Sequence, residues 1–323
     1  LKNTPQTLLP YLALLMLLHP VSSTTAIRGR LAPTPSGYLH LGNAVNFVLT
    51  WLLVRRAGGT LHLRIDDLDR TRLRPAYLAN IFQTLEWLGL DYDTGPRNPA
   101  DFEQHYSQLH YLADYQQILK KLRQQPGLLY ACTCSRTDIL AVAPDGRYPG
   151  TCRHRHIPLD TPGAAWRIRL PDDLVVTFTD GWQGTMVINL GRDMGDFVVR
   201  KKDGYPAYQI GSVADDLRLG TTLIVRGADL LPSTAAQLWL AQQLPETAGF
   251  TAARIQFLHH PLLPGPDGQK LSKSQQQPLE RGVQAQAQGP QVVFRAVALL
   301  LGLPTEASLS LEQLRQGCVE SHW

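Results

Sequence analysis

A chain of 323 residues that is 44% hydrophobic and only 18% charged can bury a substantial core, and its length fits two compact units better than one. Such a composition belongs to soluble, globular proteins. A formal net charge of +4 and a pI near 8.9 permit contact with a polyanion without establishing it. Four cysteines are too few for a disulfide scaffold of this size. Cys132, Cys134 and Cys152 cluster while Cys318 stands apart, a pattern that points to a reducing compartment and a bound metal.

Taken in chain order, the first 23 residues look like a secretory signal: Lys2 precedes an apolar run from Leu8 to Leu18, and Ser22 and Ser23 follow. The run is too short, and interrupted at Pro10, to span a bilayer. Ala26 to Leu31 predicts a strand, Pro33, Pro35 and Gly37 a loop, and Val45, Val48 and Leu52 a helix opening near Gly42. Thr60 to Ile65 alternates as a strand should, with Leu61, Leu63 and Ile65 on one face and His62 and Arg64 on the other, completing a βαβ unit. A helix follows Pro75, with Leu78, Ile81, Phe82, Leu85 and Leu88 on one stripe and Gly89 at its stop.

Another helix is expected over Phe102 to Arg123. Beyond it short strands (Ala165 to Leu170, Val175 to Thr179, Thr185 to Leu190) suggest an inserted mixed domain. Sheet and helix signals resume at Tyr205 to Val213, Thr222 to Val225 and Ser233 to Gln243. The expected architecture is therefore α/β, a doubly wound parallel sheet split by an α+β insertion. Its divisions are an extension at 1–24, a first half at 25–100, the insertion at 101–200, a second half at 201–276 and a helical tail at 277–323, with a Gln- and Gly-rich loop from Gln275 to Gln288.

Two segments carry phosphate chemistry. In the first strand-to-helix loop, His40 and Asn43 stand at a helix mouth, where free N–H groups and the helix dipole favour anions, and Gly42 lets a purine ring lie against the backbone. Lys270-Leu271-Ser272-Lys273-Ser274 supplies two lysines and two hydroxyls suited to clamping a triphosphate. Either segment alone matches ordinary turns, but the pair in this order on a sheet-helix pattern is specific.

With these residues in view, the chain resembles a class I aminoacyl-tRNA synthetase of the glutamyl type. Arg30 to Gly37 resembles the family's opening signature, His40 to Asn43 its HIGH motif and Lys270 to Ser274 its KMSKS motif. Arg64 to Asp69, Asp196 to Arg200 and Val225 to Asp229 match further blocks. The resemblance implies a Rossmann-like catalytic domain using ATP with Mg2+ to activate L-glutamate. It also implies that Arg30 and Arg226 hold substrate carboxylates, Asp66 takes the α-amino group, and Leu31, Ala32, Pro33, Thr34 and Tyr208 line the glutamate pocket. His40, Gly42, Asn43, Lys270, Ser272 and Lys273 would bind ATP. No protein nucleophile or general base is implied, because the substrate carboxylate itself attacks the α-phosphorus. Two departures stand out: Asp66 is one methylene shorter than the family's usual Glu, and Asn43 replaces the last His of HIGH.

From spacing, Cys132, Cys134 and Cys152 can close around one zinc ion, with Tyr148, His154 or His156 as fourth ligand. The resemblance favours Tyr148, because short paralogues in the family carry CxC and YxxxC here, and gives the zinc a structural role. Only 49 residues follow Ser274, too few for a helical anticodon-binding region. This size resembles the short paralogues that load glutamate onto queuosine, the modified wobble base of aspartate tRNA, with Arg153, Arg155, Arg200, Lys201 and Lys202 as candidate backbone contacts. The expected setting is a cytoplasmic monomer without membrane contact, and an upstream mis-start then explains the signal-like segment. Alternatives are a truncated glutamyl-tRNA synthetase charging the tRNA 3′ end and a catalytically silent tRNA-binding paralogue.

Overall fold

The computed structural model describes residues 26–263, 282–306 and 309–320. Lys270, Ser272 and Lys273, the turn at 264–268 and the N-terminal extension lie outside the described residues. Labelled in chain order, the longer elements are β1 (Arg28–Leu31), α1 (Leu41–Arg56), β2 (Thr60–Leu63), α2 (Pro75–Leu88), α3 (Leu112–Gln124), β3 (Leu129–Cys132), α4 (Arg136–Val142), β4 (Ala165–Ile168), β5 (Val175–Asp180) and β6 (Gly184–Asn189). They continue with β7 (Val198–Arg200), α5 (Tyr208–Arg218), β8 (Leu223–Gly227), α6 (Leu231–Ala241), β9 (Gln256–His260), α7 (Gln291–Leu300) and α8 (Leu311–Glu320).

Six strands form the main sheet in the order β2-β1-β8-β9-β5-β6. The first four run parallel, β5 joins β9 in parallel through Asp180 opposite Phe257, and β6 returns antiparallel. Strand alternation sends Leu31, Leu61, Leu63, Leu223, Val225 and Leu258 to one face, under α1, α2, α7 and α8. Ile224 and Phe257 turn to the other face, with α3, α5, α6 and the hairpin residues Phe178 and Ile188. Helices thus cover both faces, as a doubly wound sheet requires. α1 is buried nearly all round because it lies between the sheet and the two C-terminal helices. A Cβ on Gly29 would meet Val54 Cγ2 at 2.3 Å, so β1 carries glycine where α1 presses closest.

Local signals placed α2 well: Pro75 sits in its first turn and Gly89 closes it with φ of 70°. The helix expected over Phe102 to Arg123 is instead broken at Ser107, where the chain is extended (φ −56°, ψ 138°) and only α3 is regular. Buried Asp67 explains the break: its Oδ2 accepts from the Ser107 hydroxyl at 2.6 Å and its Oδ1 from Gln108 N at 2.8 Å, partners a continuous helix would withhold. Residues 101–200 divide between two sheets. β3, β4 and β7 make a separate antiparallel sheet, whereas the β5–β6 hairpin extends the main sheet. Alternation revealed the hairpin strands but could not reveal their neighbour, and the apolar face carrying Phe178 is what docks them beside β9.

Candidate active site and cysteine cluster

Where the second face of the sheet reaches β1 and β2, it stops being apolar. Arg30 and Arg64 project there, Arg226 comes from the same face of β8, and all three are buried against Asp216 of α5. Arg30 Nε and Arg64 Nη1 both donate to Asp216 Oδ1, at 3.0 and 2.9 Å, and Arg226 Nη2 lies 3.9 Å from Oδ2. Arg64 also grips Asp66 side-on, Nε to Oδ1 at 2.6 Å and Nη2 to Oδ2 at 3.0 Å.

Three guanidinium groups therefore face Asp66 and Asp216, while neighbouring Asp215 is paired with Arg218, and the surplus positive charge sits in a poorly solvated place where an anion repays desolvation. Burial alone would raise the Asp216 carboxyl, but Arg64, Arg30 and Arg226 outweigh it and hold the group below the usual carboxylate range. Burial, helped by Arg226 and Arg64, pulls Arg30 below the ordinary arginine value against the attraction of Asp216. For Arg64, burial is overcome by Asp66, Asp216 and Asp215, which keep it well above that value.

Donor use separates the arginines. Arg64 is engaged on both edges, whereas both Nη groups of Arg30 have no partner among the described residues. Arg226 gives Nη1 to Thr234 Oγ1 (3.1 Å) and Gln237 Oε1 (2.8 Å) and one Nη2 proton to Ser212 Oγ (3.2 Å). Its Nε edge is left open among the described residues. Tyr208, the first residue of α5, is 40% exposed and close enough to Arg30 to raise its proton affinity.

The loop after β1 is held by its backbone. Leu31 O accepts from Arg64 N at 2.8 Å and Pro33 O from Asp66 N at 2.9 Å, running the opening signature beside the Arg64–Asp66 segment. The Leu31 side chain is sealed in the core, so it offers a pocket only backbone; Ala32 is half-buried and Thr34 exposed. His40 is the N-cap of α1, in a capping box with Asn43, whose Oδ1 accepts from His40 N at 3.1 Å. A Cβ on Gly42 would come within 3.1 Å of the His40 ring, so Gly42 makes room for the imidazole. Leu39 N is tied to Asn80 Oδ1 (2.9 Å), and Leu39 O accepts from Val283 N (2.9 Å). The chain that leaves at Leu263 thus re-enters one residue from His40.

At the end of β3, Cys132 and Cys134 meet Cys152, all free thiols with their sulfurs within 4.8 Å of one another. Zn–S bonds of about 2.3 Å in a tetrahedron hold sulfurs roughly 3.8 Å apart, so this donor set fits zinc. Tyr148 joins it: its hydroxyl accepts from Cys152 N at 2.7 Å and lies 3.3 Å from Cys132 Sγ. His154 and His156 are exposed and stand outside the group. Burial opposes ionisation of Cys152, but hydrogen bonds from the Thr133 backbone, Tyr148 and the other thiols bring it down to about 7; burial and the Cys152 contact push Cys134 up to about 11.

Four of the five basic candidates have partners within the protein. Arg153 is consumed by Asp196 and Leu170 O, Arg200 stacks on Trp166, Lys201 binds Leu68 O and Asp203, and Lys202 caps Thr133 O between the paired cysteines. Arg155 is exposed. Sequence reasoning missed Asp216, Arg64 as the organiser of Asp66, and the buried pair Asp180–His259. Position i−2 on the same strand face was the available signal for Arg64, and nothing in a mixed-polarity helix marked Asp216.

Comparison with known proteins shows the family of the chain. Residues 26–320 match the family model of tRNA synthetases class I (E and Q), catalytic domain. A Pseudomonas putida protein named glutamyl-Q tRNA(Asp) synthetase is 42% identical over 77% of this chain and 78% of its own, and one of that name from Symbiobacterium thermophilum is 40% identical over 85% and 86%. A glutamate-tRNA synthetase structure from Elizabethkingia anophelis superposes with a TM-score of 0.69 at 24% identity, over 90% of this chain and 65% of that one, a likeness of fold. Among the described residues no helix is long and apolar enough to cross a membrane. Matched over nearly its whole described length, the chain belongs to the class I tRNA synthetases of the E and Q type.

Proposed function

We propose that this chain is an ATP-dependent ligase that activates L-glutamate as glutamyl-adenylate and transfers the glutamyl group to the queuosine of aspartate tRNA. The observation that carries the proposal is the surplus of buried positive charge around Asp216, with the open edges of Arg30 and Arg226 offered to a dicarboxylic amino acid. The relatives' shared name supplies the acceptor.

In the first step one glutamate carboxylate oxygen attacks the α-phosphorus of ATP and the bond to pyrophosphate breaks. The protein contributes alignment and charge. Arg30 and Arg226 bind carboxylates, Tyr208 walls the pocket, and Asp66, through the lone pairs that Arg64 leaves, receives the amine. His40 donates to a phosphate at the helix mouth, Lys270 and Lys273 neutralise the triphosphate and the Ser272 hydroxyl donates to it, with Mg2+ accompanying the nucleotide. Support for that pairing is the Val283–Leu39 bond, which puts a residue ten positions after Lys273 next to the neighbour of His40. In the second step a queuosine ring hydroxyl attacks the acyl carbon and AMP leaves. Cys132, Cys134, Tyr148 and Cys152 would hold a zinc ion, whose part there would be structural, bracing β3 against the loop before β4.

Radiolabelled glutamate offered to aspartate tRNA with and without queuosine tests the proposal. Labelling is expected only on the modified tRNA and is abolished by prior periodate oxidation. Pyrophosphate exchange should proceed without tRNA; exchange appearing only with glutamate tRNA would overturn the acceptor assignment.

A further inference from the structure

Arg226 and His259 face each other across the parallel strands β8 and β9. His259 and its partner Asp180 are both buried. The His259 ring bridges two groups: Nδ1 meets Asp180 Oδ2 at 2.6 Å, and Nε2 meets Thr234 Oγ1 at 2.9 Å. Thr234 Oγ1 also accepts from Arg226 Nη1 at 3.1 Å.

Donor arithmetic gives this chain one direction. Arginine only donates, so the Thr234 oxygen is the acceptor toward Arg226 and its single proton is free for His259. Asp180 accepts backbone N–H groups from Trp182, Gln183 and His259, which fixes it as a carboxylate, so His259 Nδ1 carries the proton shared with it. His259 Nε2 is then an acceptor for the Thr234 hydroxyl. Burial lowers the His259 proton affinity despite Asp180, in keeping with this neutral tautomer. On its other side Arg226 meets Gln237, whose amide donates to Gln209 at 2.9 Å, and Gln209 in turn donates to Ser233 at 3.3 Å. Both Nη1 protons are therefore used, and the guanidinium can present only its Nε and Nη2 edge.

We infer that His259, oriented by Asp180 and acting through Thr234, is a positioning residue that aims the open edge of Arg226 at the substrate carboxylate. The inference rests on the reading that Arg226 binds glutamate. It gives the β5–β6 hairpin a part in substrate binding, because Asp180 at the hairpin turn starts the chain of bonds.

Pyrophosphate exchange with glutamate and ATP varied separately tests it. Thr234→Val keeps the side-chain shape and removes both hydrogen bonds, and it is expected to raise KM for glutamate about tenfold while leaving KM for ATP unchanged. Thr234→Ser should restore the wild-type KM, and His259→Phe should resemble Thr234→Val. Arg226→Lys is the control. If it raises KM for glutamate but Thr234→Val leaves it within twofold of wild type, or raises both KM values alike, the positioning role is overturned and the carboxylate reading stands. If Arg226→Lys leaves KM for glutamate unchanged, both fail.

Discussion

Arg64 and Asp66 are joined twice, edge to edge, at 2.6 and 3.0 Å, in a place where neither sees much solvent. Each Asp66 oxygen has thus spent a lone pair before any ligand amine arrives. Removing the carboxylate would leave Arg64 with Asp216 alone, and breaking a buried pair from one side costs about 3–5 kcal/mol. Asp66→Ala is therefore expected to lower unfolding stability by that order in urea titrations. Asp69→Ala, whose pair with Arg72 is on the surface, should change it by less than about 1 kcal/mol. Equal effects would show that Asp66 is not a structural anion.

Asp216 should shape the acid limb of stability. Its folded-state pKa lies below the unfolded value of about 3.9, so its contribution is complete above that pH and fades as pH falls through the lower folded value. Urea midpoints measured between about pH 2 and 6 should drop below about pH 4 in the wild type. In Asp216→Asn the midpoint is lower at neutral pH and the acid drop is shallower. An unchanged acid limb in the variant would remove Asp216 from the account.

The cysteine cluster makes a compositional prediction. Elemental analysis of the purified protein should find one zinc per chain, absent from Cys132→Ser and Cys152→Ser. The metal should be retained by His154→Ala and His156→Ala, whose side chains lie outside the group. Chelation should lower the melting temperature without changing KM for ATP, because the ion only braces. Retention in the serine variants would relocate the metal.

Asn43 serves the helix before it serves any ligand. Asn43→Ala removes half of the capping box and is expected to cost about 1 kcal/mol in thermal unfolding. Its effect on kcat should be small beside that of His40→Ala. A kcat loss as large as that of His40→Ala, with stability intact, would instead make Asn43 a direct phosphate contact.

Patterns that depend on neighbours in sequence were readable before any coordinates. Pro75 and Gly89 bracketed α2, and alternation at Thr60 to Ile65 separated the apolar residues from His62 and Arg64. Pairings that depend on distant chain were not. Asp67 broke the helix at Ser107 from 40 residues away, and the hairpin strands announced themselves without announcing β9 as their neighbour. At the site, the arginines came from resemblance to a family, while Asp216, the anion they share, sits beside Asp215 in a helix of mixed polarity. There nothing local separates an internal carboxylate from a solvated one.

The division of labour between the two faces of β1 and β2 carries a cost in evolvability. Leu31 and Leu63 point into hydrocarbon while Arg30 and Arg64 point at the ligand side, and the two sets alternate with a period of two. Point replacements can be absorbed one at a time, but a single-codon insertion inside either strand would exchange the sets wholesale. It would drive guanidinium groups into oil and leave leucines at the mouth of the pocket. From Arg28 to Leu31 and from Thr60 to Arg64, lineages should diverge by substitution and never by changes in length.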